Sequence, residues 1–219
     1  MTQPTQFALA GLDALSDLSE RIVQWASPER AYVAELLRLF PLNSGDRLLD
    51  VGCGSGDLLA LAATRESGAI LVGIDPDEDA LELASHKIAR TIVAAELHQG
   101  TAGDLPFEDE SFDIVTATRL LVSLDARDRA EALCECRRVL RPGGRLIVAD
   151  WVEDPRGVEA LLTYPWRILR DALYSHASGT PTVADAISIA RFHPAEPRAQ
   201  IRTIVGTIEI LEAFRPLQS

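Results

Sequence analysis

Apolar residues fall in short unbroken runs, and stretches with helical spacing separate them. Arg47-Leu48-Leu49-Asp50-Val51 is such a run, set off by the turn residues Asn43-Ser44-Gly45-Asp46, and reads as a strand. Residues 69–74, 95–99, 112–117 and 145–149 repeat the pattern, the last after the turn sequence Arg141-Pro142-Gly143-Gly144. Between these strands, residues 57–64, 78–90 and 127–140 carry apolar positions at helical spacing. Upstream, residues 9–25 read as a helix. Ser27-Pro28 starts another, serine as cap and proline in the first turn, that ends before Pro41. Apolar strands alternating with helices predict an α/β fold with a parallel sheet covered on both faces.

After Trp151 the rhythm breaks. Residues 156–173 have helical spacing and residues 178–189 fit no single pattern. Residues 201–205 and 207–214, split by Gly206, predict a closing β-hairpin. A chain of 219 residues suits one domain. Its expected parts are N-terminal helices (1–44), a core (45–150), a lid (151–197) and the hairpin (198–219).

Charge and cysteines narrow the function. A net charge of −12 argues against nucleic acid as a general partner, because phosphate binding needs clustered Lys and Arg. No run of about 18 apolar residues predicts a membrane span. The first residues lack the basic and continuous apolar stretches of a secretory signal, so a cytoplasmic protein is expected, as monomer or homodimer. Cys134 and Cys136, two apart on a helix, point to different faces, and no Cys/His spacing suits zinc; no metal site is expected.

The first strand runs into Gly52-Cys53-Gly54-Ser55-Gly56, a loop that lets a ligand approach the backbone closely, with a helix start behind it. In open parallel sheets ligands bind beyond the carboxyl ends of the strands, where this loop lies. The spacing G-x-G-x-G differs from the G-x-G-x-x-G of dinucleotide sites. Asp50 precedes the first glycine by two residues. A carboxylate ~5 Å from a pyrophosphate charge costs about 3 kcal/mol at an effective dielectric near 20. The same carboxylate suits an ammonium and a sulfonium, and S-adenosylmethionine presents both. Asp75, closing the second strand, is positioned to accept from both ribose hydroxyls. Asp104, after the third, is positioned to accept from the adenine amino group, with the Leu105 amide donating to a ring nitrogen. Each acid alone also suits a cap or turn, Asp75 before Pro76 especially. The three together, each at the carboxyl end of a strand, point to a ligand.

Leu-Leu-Asp-Val-Gly-Cys-Gly-Ser-Gly (48–56), the acid at 75, Gly-Asp-Leu-Pro-Phe-Glu-Asp-Glu-Ser-Phe-Asp-Ile-Val (103–115) and Val-Leu-Arg-Pro-Gly-Gly-Arg-Leu (139–146) resemble the successive motifs of class I methyltransferases. The nearest group resembles the ubiquinone/menaquinone-biosynthesis-like small-molecule enzymes. The resemblance implies a Rossmann-like seven-stranded sheet ordered 3-2-1-4-5-7-6, mostly parallel, the last strand antiparallel, helices on both faces. It also implies Gly52, Gly54, Asp75 and Asp104 as cofactor contacts. Cys53, Gly56, Pro76 and Thr118 complete the candidate set. The histidine or aromatic pair many relatives carry after the fourth strand is absent; Leu121 and Val122 stand there.

Transfer from a sulfonium needs alignment and exclusion of water, and a base only where the acceptor must lose a proton. The lid collects the candidates. Trp151, Tyr164 and Trp166 are expected to wall a small-molecule acceptor site together with Arg119, and His176 or His193 to serve as base. The alternative is a protein of the same fold that binds S-adenosylmethionine without methylating.

Overall fold

The computed structural model describes residues 29–65, 68–91, 93–152, 181–203 and 206–217. Its elements in chain order are α1 (Glu29–Leu39), β1 (Arg47–Val51), α2 (Asp57–Thr64), β2 (Ile70–Asp75), α3 (Glu78–Ile88) and β3 (Ala95–Gln99). There follow β4 (Phe112–Thr118), α4 (Ala126–Val139), β5 (Leu140–Val152), α5 (Val183–Ile189), β6 (Glu196–Thr203) and β7 (Gly206–Phe214).

The strands form one seven-stranded sheet ordered β3-β2-β1-β4-β5-β7-β6, as the resemblance implied. β1 pairs in parallel with β2 and β4, β2 with β3, and β4 with β5. β7 runs antiparallel to both β5 and β6. Strand order and strand directions together make this a Rossmann-like fold.

Alternate residues of each strand serve opposite cores. Leu48, Leu71, Ile114 and Ile147 pack with α1, α2 and Ile88 of α3. Leu49, Val72, Val115 and Leu146 pack with Leu133 and Cys136 of α4 and Ile187 of α5. With a core on each face, the inner strands must be apolar on both sides, so their sequence shows runs rather than alternation.

Three local features depart from the sequence reading. The Arg141–Gly144 turn lies inside β5 as an irregularity: Leu140 pairs with Phe112, and pairing resumes at Arg145 opposite Ile114. Gly143 takes φ 78 there, a conformation that favours glycine. The hairpin begins at Glu196 instead of residue 201, because the polar stretch Glu196–Gln200 forms an edge strand. Residues 183–189, ambiguous in sequence, form a helix under a Thr182–Asp185 capping box. Among the described residues, no helix is long and apolar enough to cross a membrane.

Candidate functional site

The carboxyl ends of β1, β2 and β4 meet around the glycine loop. β1 stops at Val51 as the chain turns, and the amides of Gly52 and Cys53 both donate to Ile74 O, at 2.8 and 3.1 Å. Two glycines show why the loop needs this composition. At Gly54 (φ 50) a Cβ would meet nothing within 4 Å, so this stretch of backbone is open to a ligand. At Gly56 (φ 73) a Cβ would lie 2.7 Å from that of Ala84, so here glycine lets α3 pack against the loop.

Asp75 is the brace of the loop. Its Oδ2 accepts from the Gly54 amide at 2.7 Å and its Oδ1 from the Asp77 amide at 3.0 Å. The N-cap of α3 is Asp77, which accepts from the Asp79 and Ala80 amides. Asp75 is therefore not that helix's cap. Each carboxylate oxygen accepts more than one hydrogen bond, so ribose hydroxyls still find acceptors on it. Pro76, the next residue, is exposed, as is Asp104, five residues beyond the β3 partner of Asp75, Gln99; Thr118, half-buried, closes β4.

Asp50 lies beneath the loop, 1% exposed, instead of at its mouth. Its Oδ1 accepts from Thr116 Oγ1 at 2.7 Å. Burial, with a smaller contribution from the Asp75 charge, pushes its carboxyl up to about 7 against the opposing pull of the Thr116 hydroxyl. Buried in this way, Asp50 offers no exposed surface at the loop. Burial, with the Asp50 and Asp75 carboxylates nearby, pushes the Cys53 thiol well above its ordinary range, so Cys53 shapes the loop and is no nucleophile.

Two expectations are corrected. The Leu105 amide, assigned to an adenine nitrogen, donates to Glu135 Oε2 at 2.9 Å, with the Leu105 side chain buried. Arg138 of the same helix holds the Leu105 and Phe107 carbonyls, so α4 claims this stretch of backbone. His193 is at the wrong end of the sheet for a base. Its amide donates to Phe214 O at 2.9 Å, and Phe214 pairs with Arg145, five residues before Asp150. At about 3.3 Å per residue that is roughly 16 Å from the ligand end of β5.

Trp151 is buried opposite Ile208, and its Nε1 has no hydrogen-bond partner among the described residues. Arg119 holds φ 54, and its guanidinium carbon is 6.0 Å from the Tyr32 ring centre. Tyr164, Trp166 and His176 lie outside the described residues. Leu121 and Val122 are buried, consistent with packing in place of a base.

The sequence reading missed Thr116, Arg129 and Asp150. Asp150 repeated a visible signal, an acid at the end of a strand. Thr116 and Arg129 carried none, since only the folded register brings them to their partners.

Residues 49–148 match the family model described as a methyltransferase domain. The chain is 34% identical over 181 residues to a 27-O-demethylrifamycin SV methyltransferase of Amycolatopsis mediterranei, covering 73% of this chain and 65% of that protein. It is 40% identical over 112 residues to a demethylmenaquinone methyltransferase of Lactiplantibacillus plantarum, covering 50% of this chain and 46% of that one. The chain thus spans less than two thirds of the length of these curated relatives. Among solved structures, a SAM-dependent methyltransferase from Thermotoga maritima, a possible histamine N-methyltransferase, superposes with a TM-score of 0.66 at 22% identity. That match covers 91% of this chain and 95% of the other, and it bears on the fold.

Proposed function

We propose that the protein transfers a methyl group from S-adenosylmethionine to a small-molecule acceptor, a reading supported by the match of residues 49–148 to a methyltransferase domain. The observation that carries this reading is the open backbone at Gly54 beside the Asp75 carboxylate, with Asp50 buried beneath. Bound there, S-adenosylmethionine supplies a methyl group already activated on a sulfonium.

The chain's part is binding, alignment and exclusion of water. Asp75 takes the ribose hydroxyls while it holds the Gly54 amide. Asp104 accepts from the adenine amino group. The Asp50 field favours a cationic ligand over an anionic one, which sets this loop apart from pyrophosphate sites. Arg119 and Trp151 stand on the acceptor side. With His193 at the far end of the sheet, His176 is the remaining base candidate, needed only for an acceptor that must lose a proton. The acceptor's reacting atom is oxygen, nitrogen or carbon.

The test is product mass after incubation with S-adenosylmethionine labelled in its methyl group and a metabolite extract. A labelled product that requires the protein is the expected result, and His193→Ala produces it at an unchanged rate. Cofactor binding without any labelled product would favour a non-methylating binder of the same fold.

A further inference from the structure

The backbone of residues 119–124, which follows β4, is held by buried ionisable side chains from two directions. At the end of β5, Asp150 accepts from the Val122 amide at Oδ2 and from the Trp151 amide at Oδ1, each at 3.0 Å. From α4, Arg129 places all three guanidinium nitrogens on carbonyls. Nε donates to Leu121 at 2.7 Å, Nη2 to Leu124 at 3.0 Å and Nη1 to Pro181 at 3.1 Å. Asp150 is 3% exposed and Arg129 8%.

Buried ionisable groups are costly, and a satisfied network of them fixes one geometry of the backbone it touches. Here that backbone abuts the ligand loop. A Cβ on Gly52 would come within 3.1 Å of Leu120 Cδ1, so the Leu120 side chain rests directly on the glycine loop. Arg119, one residue earlier, is held at φ 54 with its amide donating to Ala149 O at 2.8 Å. Pro181 leads into α5, so the same guanidinium also ties the segment that starts this helix.

We propose that Arg129 and Asp150 are positioning residues for the cofactor site, acting through the 119–124 loop and Leu120 on the conformation of the glycine loop. The inference rests on the reading of that loop as the site for S-adenosylmethionine. Lysine in place of Arg129 keeps the charge but lacks the planar fork that reaches three carbonyls at once.

The probe is S-adenosylhomocysteine, titrated calorimetrically well below each variant's melting temperature, with amide hydrogen exchange read in parallel. In Arg129→Gln, affinity falls at least tenfold and exchange accelerates in residues 119–124 and not in β1, β2 or β4. Arg129→Lys recovers part of the affinity. Asp150→Asn, which keeps the shape but turns one acceptor into a donor, gives the same local signature. Leu120→Ala, which leaves both buried ionisable side chains in place, weakens binding without accelerating exchange in the sheet, and decides the matter should the variants at 129 and 150 fail to fold. Folded variants that bind as the wild type does overturn the proposal. A wild-type chain that does not bind the probe instead overturns the cofactor reading beneath it.

Discussion

Asp75→Ala is expected to weaken binding of S-adenosylhomocysteine by about 1.5–3 kcal/mol, the range for hydrogen bonds to a charged group, or roughly ten- to 150-fold. Two effects add. The ribose hydroxyls lose their acceptor, and the Gly54 amide, now 2.7 Å from Asp75 Oδ2, loses the group that holds it. The Asp77 amide also loses its partner at 3.0 Å, so the loop between β2 and α3 loosens. Stability falls modestly as well, but the fold survives, because Asp75 sits at a strand end outside both cores. Asp75→Asn falls between, since its single carbonyl oxygen serves one of the two amides and its NH2 group faces the other. Calorimetry and thermal melts on the same samples separate the roles. Unchanged affinity with a lowered melting temperature would reduce Asp75 to a brace.

A second large effect concerns pH. The ligand-free protein is expected to lose stability as pH rises from about 5 to about 7, and to level off above. Burial pushes both Asp50 and Asp150 up to about 7 in the folded chain; amides and the Arg129 charge oppose it at Asp150. Unfolded, both acids release their protons near pH 4. Between those limits the folded state binds more protons, so raising the pH costs stability, on the order of a few kcal/mol per acid. Once both states are ionised the cost is constant. Asp50→Asn removes one of the two contributions and makes the profile shallower, because the amide keeps an acceptor for Thr116 and cannot ionise, while Asp150 still titrates. Thermal melts at fixed ionic strength check this; a melting temperature that climbs steadily from pH 5 to 8 would contradict it. A cationic ligand over the loop favours ionised Asp50, so affinity for S-adenosylmethionine rises across the same window.

Local pattern made much of this legible in the sequence. Each inner strand announced itself as an apolar run because both its faces are covered. Gly52 to Gly56 follow β1 directly, the acids at 50 and 75 fall in the last residues of β1 and β2, and Asp104 comes shortly after β3, so these positions could be marked as candidates before any tertiary contact was known. The hidden parts depend on contacts far apart in sequence. Leu105 and Glu135 are 30 residues apart, and nothing near Leu105 marks its amide as taken. His193 looked suitable by residue type, but the antiparallel run of β7 carries its partner Phe214 to the amino end of β5. Arg129 is one of several arginines on a charged helix; only its place beneath the 119–124 loop distinguishes it.

The most direct test of the central assignment is calorimetric titration of the intact protein with S-adenosylmethionine, S-adenosylhomocysteine and NAD. Expected is micromolar-range binding of both adenosyl ligands, weakened by Asp75→Ala, with no comparable binding of NAD. Tight binding of NAD with no response to either adenosyl ligand would contradict it.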